Sequence, residues 1–162
     1  MSFSIVHVLS SFGVGGQERV ALDLAIGQKA LGHRVAVMSL APAPDGALAD
    51  EFAAAGIDIM RVEKRAHGID PTLSARIGMA LKKRGVDVVH THNPMPLIYA
   101  APAARLVGAA AIHTKHGRNP ANFSNRALRR VAAQWVNFFV AVSDITAEQA
   151  LAQHDCPPAK LR

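Results

Sequence analysis

Six short runs rich in β-branched residues punctuate the chain, and each is followed by a longer stretch of helical periodicity: "FSIVHVLSS", "HRVAVMSL", "IDIMRV", "VDVVHTH", "AAIHTKH" and "FFVAVSD". This alternation constrains the fold more than any other feature. A strand that returns to its sheet through a helix runs parallel to its predecessor, and the crossover is right-handed. The chain is therefore expected to form an α/β three-layer sandwich around a mostly parallel sheet of about six or seven strands. Helices are expected over residues 17–32 and around 46–55, 71–84, 95–107, 124–137 and 144–153. In the first, Val20, Leu24, Gly27 and Leu31 recur on one face and Gly32 supplies the stop.

A chain of 162 residues is expected to form one domain, 1–162, with a core large enough to need no disulfide or metal. Ala, Val and Leu supply most of the apolar bulk, as helices packed on a buried sheet require. The single cysteine, Cys156, has no internal partner, and the start "MSFSIVHVLSS" lacks a basic leader region, so a cytoplasmic location is expected. The apolar stretches "LIYAAPAARLVGAAAI" and "RVAAQWVNFFVAV" are interrupted by Pro102, Arg105, Gly108, Gln134 and Asn137. Neither offers the uninterrupted span of about 20 residues that a membrane helix needs. The formal charge of +6 favours an anionic partner: a nucleotide, a phosphorylated substrate or an acidic membrane surface. Nucleic acid is not expected, because the basic residues are not interleaved with stacking aromatics.

The stretch "SSFGVGGQERV" puts Gly13, Gly15 and Gly16 between the first strand and the first helix. In an open parallel sheet, ligands gather at the carboxyl ends of the strands. A helix start there offers free amides and a positive dipole end to phosphate or carboxylate. The same glycines could also serve only to turn the chain. A dinucleotide fingerprint fails, since Glu18 stands where the third glycine belongs and the second strand ends without an acidic residue. A P-loop fails as well, because no lysine followed by Ser or Thr comes after the glycines.

Polar groups also gather at later strand ends. "HTHNP" ends strand four and "HTKHGRNP" ends strand five, bringing His90, His92, His113, Lys115, His116 and Arg118 toward one edge. Alternation turns His90 and His92 to the same face, with His92 nearer the open end. His90, deep in a covered sheet, reads as a hydrogen-bonded core residue. His7 and His33 carry no functional assignment.

Together, "GGQERV", "DVVHTHNP", "HTKHG" and "VAVSD", in this order at these positions, resemble the N-terminal, acceptor-side domain of retaining glycosyltransferases of family 4, which have the GT-B fold. The resemblance runs over essentially the whole chain. It implies a Rossmann-like domain and sugar transfer, with retention, from a nucleotide sugar to a cell-envelope glycan or glycolipid. The donor half of such enzymes, with its basic pair and spaced glutamates, has no counterpart in these residues. The resemblance thus implies an isolated acceptor half that needs a C-terminal domain for activity. It places Gly15 and Gly16 near the donor diphosphate. Matching the family's T-x-H pattern to Thr114, Lys115 and His116 puts His116 beside the transferred sugar, where it would stabilise an oxocarbenium-like transition state. His92, Asn93, Thr114, Lys115, Gly117 and Arg118 are the further candidates for substrate contact. No cofactor and no metal are implied; a UDP- or GDP-sugar enters as substrate.

Two other functions fit parts of the pattern. A non-catalytic module could hold a glycan or phospholipid for a partner, and the histidines of H-x-H and H-x-x-H could ligate zinc. Ser143 reads as a helix cap. Arg126, Arg129 and Arg130, spaced helically beside Trp135 and Phe138, are candidates for peripheral contact with an anionic inner membrane face.

Overall fold

The computed structural model describes residues 1–65, 68–117 and 123–162. The β-branched runs form β1 (Ser4–Leu9), β2 (Arg34–Ser39), β3 (Asp58–Arg61), β4 (Val88–His92), β5 (Ala110–Lys115) and β6 (Phe138–Ala141). Between and after them lie α1 (Gly16–Ala30), α2 (Leu48–Ala54), α3 (Leu73–Arg84), α4 (Pro94–Leu106), α5 (Phe123–Ala133) and α6 (Asp144–Ala152). The strands make one six-stranded sheet in the order β3-β2-β1-β4-β5-β6. Every pairing within it is parallel, more uniform than the mostly parallel sheet expected. After the 3-10 turn Pro158–Lys160, Leu161 forms a parallel bridge to Phe139 on β6.

The order reverses at β1. β2 and β3 build the sheet in one direction and β4, β5 and β6 in the other, so the crevice of the topological switch opens beyond the carboxyl ends of β1 and β4. Period-two alternation then divides the side chains between two layers. Val6, Val8, Ala36, Met38 and Val89 pack with Leu73, Ile77 and Leu81 of α3, Leu97 and Ala100 of α4, and Ala132 of α5. On the other face Leu9, Val35 and Val37 pack with Ala21, Leu22 and Ala25 of α1 and Leu48 and Phe52 of α2.

The inward stripe of α1 differs from the expected one. Val20 is 39 % exposed and Leu31 77 % exposed, while Glu18, Ala21, Leu22 and Ala25 are buried. Small alanines bring the helix close to the sheet, and the larger aliphatics fall to its outer flank. Gly32, at φ 86°, does stop the helix, in the left-handed conformation that glycine adopts without strain. The basic face expected on α5 is also revised. Arg129 is buried, and its Nη2 lies 3.6 Å from Asp155 Oδ1 in an ion pair, so it is not part of a surface cluster with Arg126 and Arg130. Among the described residues no helix is long and apolar enough to cross a membrane.

Candidate active site

The first wall of the site is the turn after β1. Gly15 caps α1 with an extended backbone (φ −154°), so its lack of a side chain answers to space rather than to conformation. A Cβ there would run into the Glu18 carboxylate, which folds back over the helix start and accepts from Gln17 Nε2. Gly16 differs: a Cβ would meet nothing in the chain itself. Space is thus kept open beside the first free amides of α1, where the helix dipole favours an anion.

The second wall comes from β4 and β5. Asn93 precedes Pro94 at the start of α4 with φ 72°, a left-handed value costly for a residue with a side chain. Its side chain makes no cap bond to the helix. Gly117 follows His116 with φ 149°, again a conformation suited to glycine. Gly15, Gly16, Asn93, His116 and Gly117 line one open cleft of about 600 Å³, together with Gln17, Glu18, Val20 and Val142. Five of the expected site residues, drawn from three strand ends, therefore share one cavity.

Behind His116 runs a line of imidazoles. His116 Nε2 lies 3.0 Å from His92 Nδ1, His92 Nε2 lies 3.0 Å from His7 Nδ1, and His7 Nε2 lies 2.8 Å from Gln28 Oε1. His7 and His92 are wholly buried. Burial pushes the His7 ring down to about 4, against a smaller upward pull from its Gln28 bond. It holds His92 well below the usual range, with neighbouring imidazoles adding to the effect. Burial also lowers His116. These rings are therefore neutral near pH 7.

The remaining expected residues lie elsewhere. His92 touches no solvent, so it reaches the cleft only through His116. Thr114, also buried, pairs its Oγ1 with His90 Nε2 at 2.8 Å. Lys115 points to the opposite face of the sheet, is 2 % exposed, and pairs its Nζ with Asp155 Oδ2 at 2.7 Å. It is a buried structural cation and does not line the cleft. Arg118 lies outside the described residues. Ser143 caps α6, its Oγ accepting from the Thr146 amide at 3.2 Å.

A zinc site is poorly served by this geometry. Nitrogens of His7, His90 and His92 lie within 4.8 Å of one another, but His92 stacks on both His7 and His90, at centroid distances of 5.3 and 4.3 Å, and among the described residues no carboxylate joins the group. Both nitrogens of His7 and of His92, and Nε2 of His90, are engaged with Gln28, Thr114, His116 and one another. His113 faces the other way, its Nδ1 hydrogen-bonded with Thr91 Oγ1 at 2.9 Å.

Residues 14–162 match the family described as Glycosyltransferase Family 4. The chain belongs to this family. No curated protein matches the chain in sequence. Among solved structures, a glycosyltransferase from Rickettsia africae is 23 % identical with a TM-score of 0.78, covering 99 % of this chain and 42 % of that one. Anabaena HepE, solved in complex with UDP and glucose, is 18 % identical with a TM-score of 0.76, covering 99 % and 43 %. A UDP-N-acetylglucosamine 2-epimerase assignment from Listeria monocytogenes has the same fold at 12 % identity and a TM-score of 0.71, covering 99 % and 44 %. The chain thus spans less than half the length of these proteins, and the likeness is one of fold.

Glu18, His7 and Gln28 are among the residues of the site missed in the sequence. Each had a signal. Glu18 and Gln28 continue the inward α1 stripe of Ala21, Leu22 and Ala25, and His7 shares its β1 face with Ile5 and Leu9.

Proposed function

We propose that this chain is the acceptor-side half of a retaining glycosyltransferase that moves a sugar from a UDP- or GDP-sugar to a cell-envelope glycan or lipid-linked acceptor. A C-terminal domain across the cleft supplies most of the grip on the donor. The observation that carries this reading is the convergence of Gly15, Gly16, Asn93, His116 and Gly117 on one open cavity. The α1 amides face the donor diphosphate and offset part of its charge. His116 stands beside the reacting sugar and stabilises it by hydrogen bonding as the glycosidic bond to phosphate breaks. No catalytic metal is invoked, because amide dipoles and basic side chains offset the phosphate charge in this scheme. The protein works in the cytoplasm, with peripheral contact at an anionic inner membrane face.

The test pairs the chain with a C-terminal donor-binding domain of this family and measures nucleoside diphosphate release with glycan and lipid-linked acceptors. Release that depends on acceptor and yields a product of retained anomeric configuration supports the reading. For the 162-residue chain alone, an NMR titration with UDP- and GDP-sugars is expected to give weak shifts at the Gly15, Gly16 and Gly117 amides. Tight donor binding by this half alone would contradict the division of labour.

A further inference from the structure

We propose that Gln28, His7 and His92 are positioning residues that lock His116 in the tautomer with its proton on Nε2, so that Nδ1 presents a bare lone pair to the cleft. The argument is one of hydrogen-bond polarity. A neutral imidazole has one N–H and one bare nitrogen, whereas an amide carbonyl oxygen only accepts. Gln28 Oε1 sits 2.8 Å from His7 Nε2, so that nitrogen carries the proton and donates. His7 Nδ1 is then bare and accepts from His92 Nε2 at 3.0 Å. This leaves His92 Nδ1 bare, and it accepts from His116 Nε2 at 3.0 Å. With neutral rings, a single assignment satisfies all three bonds.

Burial supplies the neutrality that the argument needs, since His7 and His92 are enclosed and a proton added to either would place a charge in the core. The other buried histidine of the group, His90, stands outside the line: it stacks on His92 at 4.3 Å and spends its Nε2 on Thr114. Had the Gln28 amide nitrogen faced His7, every bond would reverse and His116 Nδ1 would carry a proton. The side chain of one residue on α1 therefore sets what a residue beyond β5 offers to a ligand.

The chemical consequence rests on the glycosyl-transfer reading; the tautomer does not. A bare Nδ1 accepts from a hydroxyl group and repels a phosphate oxygen. His116 accordingly engages a hydroxyl of the sugar or of the acceptor, and the diphosphate is left to the α1 amides.

Long-range proton–nitrogen NMR of the 15N-labelled chain, without ligand at pH 7.5, reads the tautomers directly, with His116 assigned from the spectrum of His116→Gln. The expected pattern is a protonated Nε2 and a bare Nδ1 for His7, His92 and His116 alike. A protonated Nδ1 on His116 in the native chain would overturn the proposal. Gln28→Met removes the terminal acceptor at a half-buried helix position while keeping a good helix former. In that variant the two His116 nitrogen signals are expected to move toward each other, as a mixture of tautomers requires. Unmoved signals in the folded variant would show that the line does not transmit. Should Gln28→Met fail to fold, His7→Phe, which cuts the line one ring nearer, is read in the same way. Because no substrate is present, failure of the transfer reading leaves this outcome intact, and the reverse holds.

Discussion

His7 and His92, 85 positions apart in the chain, meet through one hydrogen bond of 3.0 Å across the β1–β4 seam. The bond lies where the sheet changes its direction of growth, beneath the crevice in which open parallel sheets bind ligands. A buried pair thus supports a half-buried residue at the cleft rim, and the same pair makes the fold sensitive to acid.

Acid sensitivity follows from the direction of the histidine shifts. His7 falls from the ordinary 6.5 to about 4, and His90 and His113 fall to about 3, each chiefly through burial. Above pH 6.5 the rings are neutral in both folded and unfolded chains, and their contribution to stability is fully present. Below it the unfolded chain takes up protons that the folded chain refuses, so stability is lost as pH falls toward 4 and then 3. Each such ring contributes a slope of up to about 1.4 kcal/mol per pH unit. Thermal melts across this window are expected to show Tm falling steeply below pH 6.5; a flat profile to pH 4 would contradict the burial of these rings.

His116→Ala is expected to leave the fold intact, because the ring is half-buried at the cleft rim, and to reduce transfer by on the order of 100-fold. Far-UV circular dichroism, and turnover of the chain paired with the proposed C-terminal domain, check the two halves of the statement. Undiminished turnover would remove His116 from the site.

Gly16→Ala separates a ligand role from a structural one. A methyl group there meets nothing in the chain, and alanine favours a helix over glycine by up to about 1 kcal/mol. Tm is expected to hold or rise slightly while KM for the sugar nucleotide rises at least several-fold. An unchanged KM would mean that the open space at Gly16 receives no ligand.

Lys115→Met is expected to destabilise the protein by about 3 kcal/mol, because it leaves Asp155 buried without its nearest cation. Urea unfolding measures the loss, and pairing the change with Asp155→Leu is expected to recover much of it. Loss of donor binding at unchanged stability would instead return Lys115 to the cleft.

The strands were legible because each is a short β-branched run in a regular alternation with helices, and the resulting parallel order has few alternatives. The placement of the glycine turn and His116 at one edge of the sheet was legible because strand ends are marked by local sequence. Alternation alone would also have turned Lys115 away from the face of Thr114 and His116, yet the T-x-H pattern kept the three together. What stayed hidden depends on contacts between distant segments. His7 gains a role only when β1 lies beside β4, and Gln28 only when α1 settles with its alanines against the sheet. Composition carries no trace of either event, since a buried histidine and a half-buried glutamine are ordinary in isolation.

The reversal of strand order at β1 ties competence to assembly. A chain that has paired β1 with β2 and stopped there has its glycine turn but no aligned imidazoles, because the partners of His7 arrive with β4. The pairing of β1 with β4, the most sequence-distant step in the sheet's centre, is thus also the step on which the imidazole line waits, and under the proposed transfer a late-closing seam and a working cleft are formed together.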